Sequence, residues 1–145
     1  MKKLLAGAAA LLILAGCGSS TGKQEAKTCT MDYQGIPTTM KLDAEDNKVT
    51  VIEMNMEQDM KQDLSNITDD QKKQVDQIIY SSMGIMGDEE GLTAKADYEG
   101  TKVILTIKID TTKASTDTLK KFSFDGGLKF DDSVKELETA GATCK

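Results

Sequence analysis

The chain has 145 residues and a formal charge of −6, set by 24 acidic and 18 basic side chains, and none of the basic ones is Arg. An acidic chain without Arg clusters is a poor partner for nucleic acid and adheres badly to anionic lipid. His and Trp are absent and aromatics make up only 4% of residues, which removes the commonest general base and transition-metal ligand and argues against broad carbohydrate-stacking platforms.

Lys2 and Lys3 open a leader, and Leu4 through Ala15 follows as an uncharged run rich in Leu and Ala. Such a run suits a signal-peptide h-region and is too short to cross a bilayer, which takes ~20 residues. Leu14-Ala15-Gly16-Cys17 closes it and resembles a bacterial lipobox, with Cys17 the first residue of the mature chain. That resemblance implies a diacylglyceryl thioether on Cys17, and two or more acyl chains anchor stably where one would not. Residues 1–16 therefore read as a lipoprotein signal peptide. Residues 17–27 read as the lipidated Cys and a flexible tether, because Gly18 to Lys27 is small, polar and without apolar periodicity. The tether spans roughly 17 Å on average and at most about 35 Å, which keeps the domain near the membrane.

Residues 28–145 suffice for one domain. Thr28 to Tyr33 alternates, with Cys29, Met31 and Tyr33 on one face. Gln34-Gly35 turns the chain into a second alternating strand that starts at Pro37, where a missing donor is tolerable. After the polar turn Ala44 to Asn47, Val49 to Glu57 reads as a third strand. Val49 and Val51 lie on one face, with Ile52, Met54 and Met56 on the other, so either a bulge shifts the register near Val51 or both faces are covered. The three make a meander.

Gln58 to Asn66 is a polar loop. Thr68-Asp69-Asp70-Gln71 then fits a capping box and opens a helix whose Val75, Ile78, Ile79, Ser82 and Met83 stripe is expected to pack on the sheet. Gly84 can end it in the left-handed conformation. Gly87 to Gly91 leads into a hairpin of Leu92–Glu99 and Thr101–Asp110, with Val103, Leu105, Ile107 and Ile109 on one face. Ser115 to Phe122 reads as a short helix with Leu119 and Phe122 inward, and Asp125-Gly126-Gly127 as a turn. Ser133-x-x-Glu136 resembles a second capping box, with Val134, Leu137 and Gly141 on one helical face. Ala142 to Cys144 returns to the sheet beside the first strand. The expected architecture is α+β, two-layered, an antiparallel sheet of about five strands with two to three helices on it.

Cys29 and Cys144 open and close this domain, and an exported compartment permits their oxidation, so a Cys29–Cys144 disulfide is expected. Met31, Met40, Met54, Met56 and Met60 are soft thioethers that suit cuprous ion, yet Met54 and Met56 share the Ile52 face, where Met is a flexible core filler, and core is the preferred reading. The acids of 43–47 and 88–90 lack calcium-loop spacing and read as solvated turns. Asn66-Ile67-Thr68 matches a glycosylation sequon, but Thr68 is better explained as a helix cap. There is no nucleophile elbow, phosphate loop or metal-ligand spacing. No catalytic residue, cofactor site or metal site is therefore assigned, and an enzyme is not expected.

The order of these features, with Gly91, Ala94 and Tyr98 in the hairpin, Val-x-Leu-x-Ile-x-Ile-Asp at 103–110 and Leu-Glu-Thr-Ala-Gly-Ala-Thr-Cys-Lys at 137–145, resembles the YehR-like family of small bacterial lipoproteins. The family's molecular function is not established, so the resemblance brings no site residues. A Lys-rich chain without Arg also looks like a low-GC Gram-positive product. The expected protein is lipid-anchored on the extracytoplasmic face of the cell membrane. It is a non-catalytic domain binding another envelope protein or a wall component, or else it captures a small ligand or metal for a transporter or sensor.

Overall fold

A computed structural model describes residues 22–33, 35–85, 89–122, 124 and 128–145. The lipobox with Cys17, Gln34, the Gly87-Asp88 part of the central turn and the Asp125-Gly126-Gly127 turn lie outside the described residues. The strands are β1 (Gln24–Tyr33), β2 (Ile36–Glu45), β3 (Lys48–Asp59), β4 (Leu92–Glu99), β5 (Lys102–Asp110) and β6 (Thr143–Cys144). They form one antiparallel sheet in the order β4-β5-β3-β2-β1-β6. Helices α1 (Asp69–Ser82), α2 (Thr116–Lys121) and α3 (Phe130–Thr139) complete an α+β fold.

The first strand begins earlier than its alternation suggests. Gln24 to Lys27, expected in the tether, pair with Glu45 to Leu42. The pairing extends because the β2–β3 turn reaches back: Lys23 N–H donates to the Asp46 carboxylate at 2.8 Å, and Asp46 N–H donates to the Lys23 carbonyl at 3.0 Å. Backbone partners hold residues whose composition alone reads as linker. Asp46 and Asn47 both take positive φ, 50° and 62°, which makes a two-residue turn matched to strand twist.

On β3 the register shifts between Asp43 and Ala44, which face Val51 and Val49. Thr50 is the extra residue, and its hydroxyl donates to the Asp43 carbonyl at 3.2 Å. The bulge resolves the two alternatives for this strand. It turns Val49 to the same inner face as Ile52 and Met54, and leaves Val51 only half-buried. Leu42, Ile52, Ile107, Ile109 and Val49 are the deepest side chains of that face.

The helices cover the inner face unevenly. At Thr68 the capping box forms: its hydroxyl accepts from Gln71 N–H, and the Gln71 side chain accepts from Thr68 N–H. Gly84, at φ 72°, ends α1 with Ile85 N–H donating to the Tyr80 carbonyl and Gly84 N–H to that of Ser81, the Schellman pattern. The packing face differs from the expected stripe. Ile78 is 68% exposed and Ser82 is exposed, whereas Val75, Ile79, Tyr80 and Met83 are half-buried and none of the helix is fully buried. The rotation is set by Tyr98 of β4, whose hydroxyl donates to the Asp76 carboxylate at 2.5 Å and lies 3.2 Å from the Lys72 carbonyl. That contact turns Asp76 and Tyr80 toward the sheet edge.

Ser115 caps α2, accepting from Thr118 N–H at 3.1 Å, and Leu119 is buried as expected. Helix α3 starts three residues before the expected Ser133 cap. Ser133 is buried inside it and donates to the Lys129 carbonyl. The cap is supplied from another element: Asn47 takes Phe130 N–H on its carbonyl and Asp131 N–H on its side-chain oxygen. Phe130, buried at the first turn, is the anchor this earlier start provides.

A methionine-lined candidate binding site

Strand register gathers the thioethers. Met40 pairs with Met54, and Thr38 pairs with Met56 on one side and Met31 on the other. Partners across a strand pair share a face, as do residues two apart along a strand. The buried Thr38 is therefore ringed on the inner face by Met31, Met40, Met54 and Met56. Met83, which caps the C-terminus of α1, joins them from the helical layer. Phe122, Phe124 and Leu128 border the space beyond α2, and Leu137 and Ala140 close it from α3.

Between these groups lies a cavity of about 430 Å³. Its size falls in the range of small-molecule sites, about 300–1,000 Å³. The few polar groups on its wall are already engaged. Thr38 donates to the Ile36 carbonyl, Ser133 to the Lys129 carbonyl, and Lys121 pairs with Glu89 at 2.6 Å. Among the described residues no buried side-chain nitrogen or oxygen lacks a partner. Among the described residues the interior thus offers apolar, polarisable surface and no spare side-chain donor, with only the lone pairs of two hydroxyls left to accept. At the rim stand Tyr33, 53% exposed, and the exposed Glu136.

The structure brings together four of the five methionines singled out from the sequence. Met60 is apart, 41% exposed beyond the end of β3. Met83 belongs to the site but reads in the sequence only as part of a helix stripe, and Phe124 and Leu128 carry no sequence signal for it. Cys29 and Cys144 face each other in the β1–β6 register and are joined, with Cα atoms 4.0 Å apart. Thr28 and Lys145 exchange both backbone hydrogen bonds beside them. The disulfide therefore occupies a non-hydrogen-bonded pair, where side chains approach most closely. Of the acidic turns, Asp46 and Asn47 serve the β2–β3 turn, and Glu89 holds Lys121 and the Thr118 hydroxyl. Among the described residues no three His, Cys, Asp or Glu side chains are grouped to hold a metal. Burial, with the Asp76 carboxylate beside it, holds the Tyr98 phenol well above the ordinary tyrosine range, and burial raises Tyr80 too.

Among the described residues no helix is long and apolar enough to cross a membrane. No family model matches the chain. The uncharacterized lipoprotein Lmo0207 of Listeria monocytogenes is 27% identical over 154 aligned residues, covering 97% of this chain and 96% of that protein. The solution structure of the YehR protein of Escherichia coli superposes with a TM-score of 0.59 at 16% identity, over 86% of this chain and 93% of that one. A protein from Streptococcus pneumoniae TIGR4 superposes with a TM-score of 0.52 at 11% identity, over 100% of this chain and 96% of that one. The chain has the YehR fold and is similar from end to end to a bacterial lipoprotein, and both findings support its resemblance to the YehR-like lipoproteins.

Proposed function

We propose that this protein is a membrane-anchored extracytoplasmic lipoprotein whose domain is a non-catalytic binding module, capturing a small apolar ligand in the methionine-lined cavity. The cavity carries the ligand reading: its wall is mostly apolar, the donors of Thr38, Ser133 and Lys121 are already paired, and methionines adapt to varied shapes. The lipobox resemblance at Leu14 to Cys17 and the similarity to a named lipoprotein support the anchor. The smallness of the interior favours a ligand over the alternative of an envelope protein or wall component.

Two measurements test the proposal. Metabolic labelling with palmitate is expected to mark the chain and to lose the mark in Cys17→Ser; an unlabelled wild type rejects the anchor. Thermal unfolding with a panel of apolar compounds is expected to find ligands that stabilise by about 2.7 kcal/mol at a hundred times their dissociation constant. Flat responses across the panel, with the protein folded, reject the cavity as a working site.

A further inference from the structure

We infer that the ligand is a single unbranched alkyl chain whose head group, neutral or cationic, stays at the rim beside Tyr33 and Glu136. The inference rests on the binding-module reading and narrows it to a chemical class. Among the described residues the wall is mostly apolar and its Thr38 and Ser133 hydroxyls already give their protons to backbone carbonyls, so no side-chain donor waits inside and the enclosed part of the ligand is mainly hydrocarbon. Five of the described side chains facing it are unbranched, rotatable thioethers: Met31, Met40, Met54, Met56 and Met83. Such walls reshape around a flexible chain, and a volume of about 430 Å³ lies near the low end of small-molecule sites, which suits one chain.

Head-group preference follows from charge. Among the described lining residues, Lys121 and Glu136 are the charged ones. Lys121 is committed to Glu89 at 2.6 Å, while the Glu136 carboxylate has no ion pair among the described residues. An anionic head would meet a net negative rim on an already acidic protein, whereas a cationic head gains a partner and a neutral one loses nothing. This distinguishes the site from a fatty-acid carrier, which needs a free cation at its mouth.

The chain lacks Trp, so Tyr33→Trp places a single fluorophore at the rim. The full chain carrying it, in phosphatidylcholine vesicles, is titrated with alkyl glucosides, alkyltrimethylammonium salts and fatty acids of increasing length, below solubilising concentration. Free ligand is measured in the aqueous phase. Expected is a blue shift with affinity rising about fourfold per added methylene until the cavity is full, then a plateau. The glucoside and ammonium series should outbind the fatty acids of equal length, and Glu136→Gln should erase the ammonium advantage. Thermal shifts of the unsubstituted protein with the same ligands guard against a reporter that disturbs folding. Equal binding of the anionic series overturns the head-group assignment. Binding of a compact apolar dye such as 1-anilinonaphthalene, with no chain-length dependence, overturns the alkyl class while leaving the cavity reading intact. No response to any apolar probe overturns both. So does a response to cuprous ion alone, buffered by a competing chelator.

Discussion

Tyr98 shows how a single side chain can set the attitude of an element that has little else to hold it. Helix α1 buries no residue fully, so the hydrogen bond from the Tyr98 hydroxyl to Asp76 is a main fastening. Bonds to charged groups contribute more than neutral ones, and Tyr98→Phe is expected to cost about 1.5 kcal/mol in urea unfolding. The same contact makes stability depend on pH. Burial first, and the Asp76 hydrogen bond and charge next, raise the Tyr98 pKa above its ordinary value of 10.0. The folded chain therefore keeps a proton that the unfolded chain gives up above that pH. The contribution is complete below about pH 10 and is lost as pH rises beyond it, so the wild-type stability curve should fall more steeply there than that of Tyr98→Phe. At the acidic end the sign reverses for Asp110. Hydrogen bonds from Thr112 and Lys113 lower its pKa, and its contribution is present at neutral pH and fades as pH drops below the ordinary carboxylate range. Alternation along β4 places Tyr98 on the inner face in the sequence. Its partner is 22 residues away and on a helix, so the contact that rotates α1 was beyond local pattern.

Local signals defined the elements well where each element supplies its own ends. Thr68 and Gln71 sit three apart and close the capping box; Gly84 supplies the left-handed exit; the 103–109 alternation became the strongest inner row of the sheet. Signals failed where an end is supplied from elsewhere. Ser133 matched the pattern of a cap, but the first free N–H groups of α3 meet Asn47, more than eighty residues earlier. Asn47→Gly keeps the positive φ and the carbonyl contact while deleting the side-chain cap. It is expected to cost about a few tenths of a kcal/mol, with thermal unfolding as the measurement. The start of β1 is the same lesson in a strand. Gln24 to Lys27 have the composition of a linker, and only their partners on β2 make them sheet.

Across the whole molecule, the site was half legible. The thioethers were visible as a list, and the inner-face assignment of Met54 and Met56 was correct. Their convergence around Thr38 depends on the β1–β2 and β2–β3 registers, and the cavity itself depends on how far the helices stand from the sheet, which no periodicity encodes. The disulfide was legible because both partners lie at the ends of one domain. Replacing Cys29 and Cys144 together with Ser opens a loop of 115 residues and is expected to cost about 4–5 kcal/mol, read as a lower urea midpoint. The bridge also has a mechanical meaning. A pull arriving through the residues ahead of Gln24 runs along β1 and loads its hydrogen bonds to β2 in shear. At Cys29, two residues before Met31, a covalent bond takes up part of that load and passes it to β6. In the proposed anchored state, a pull entering at the start of β1 is thereby shared with β6 through a covalent bond, where otherwise the β1–β2 hydrogen bonds would carry it alone.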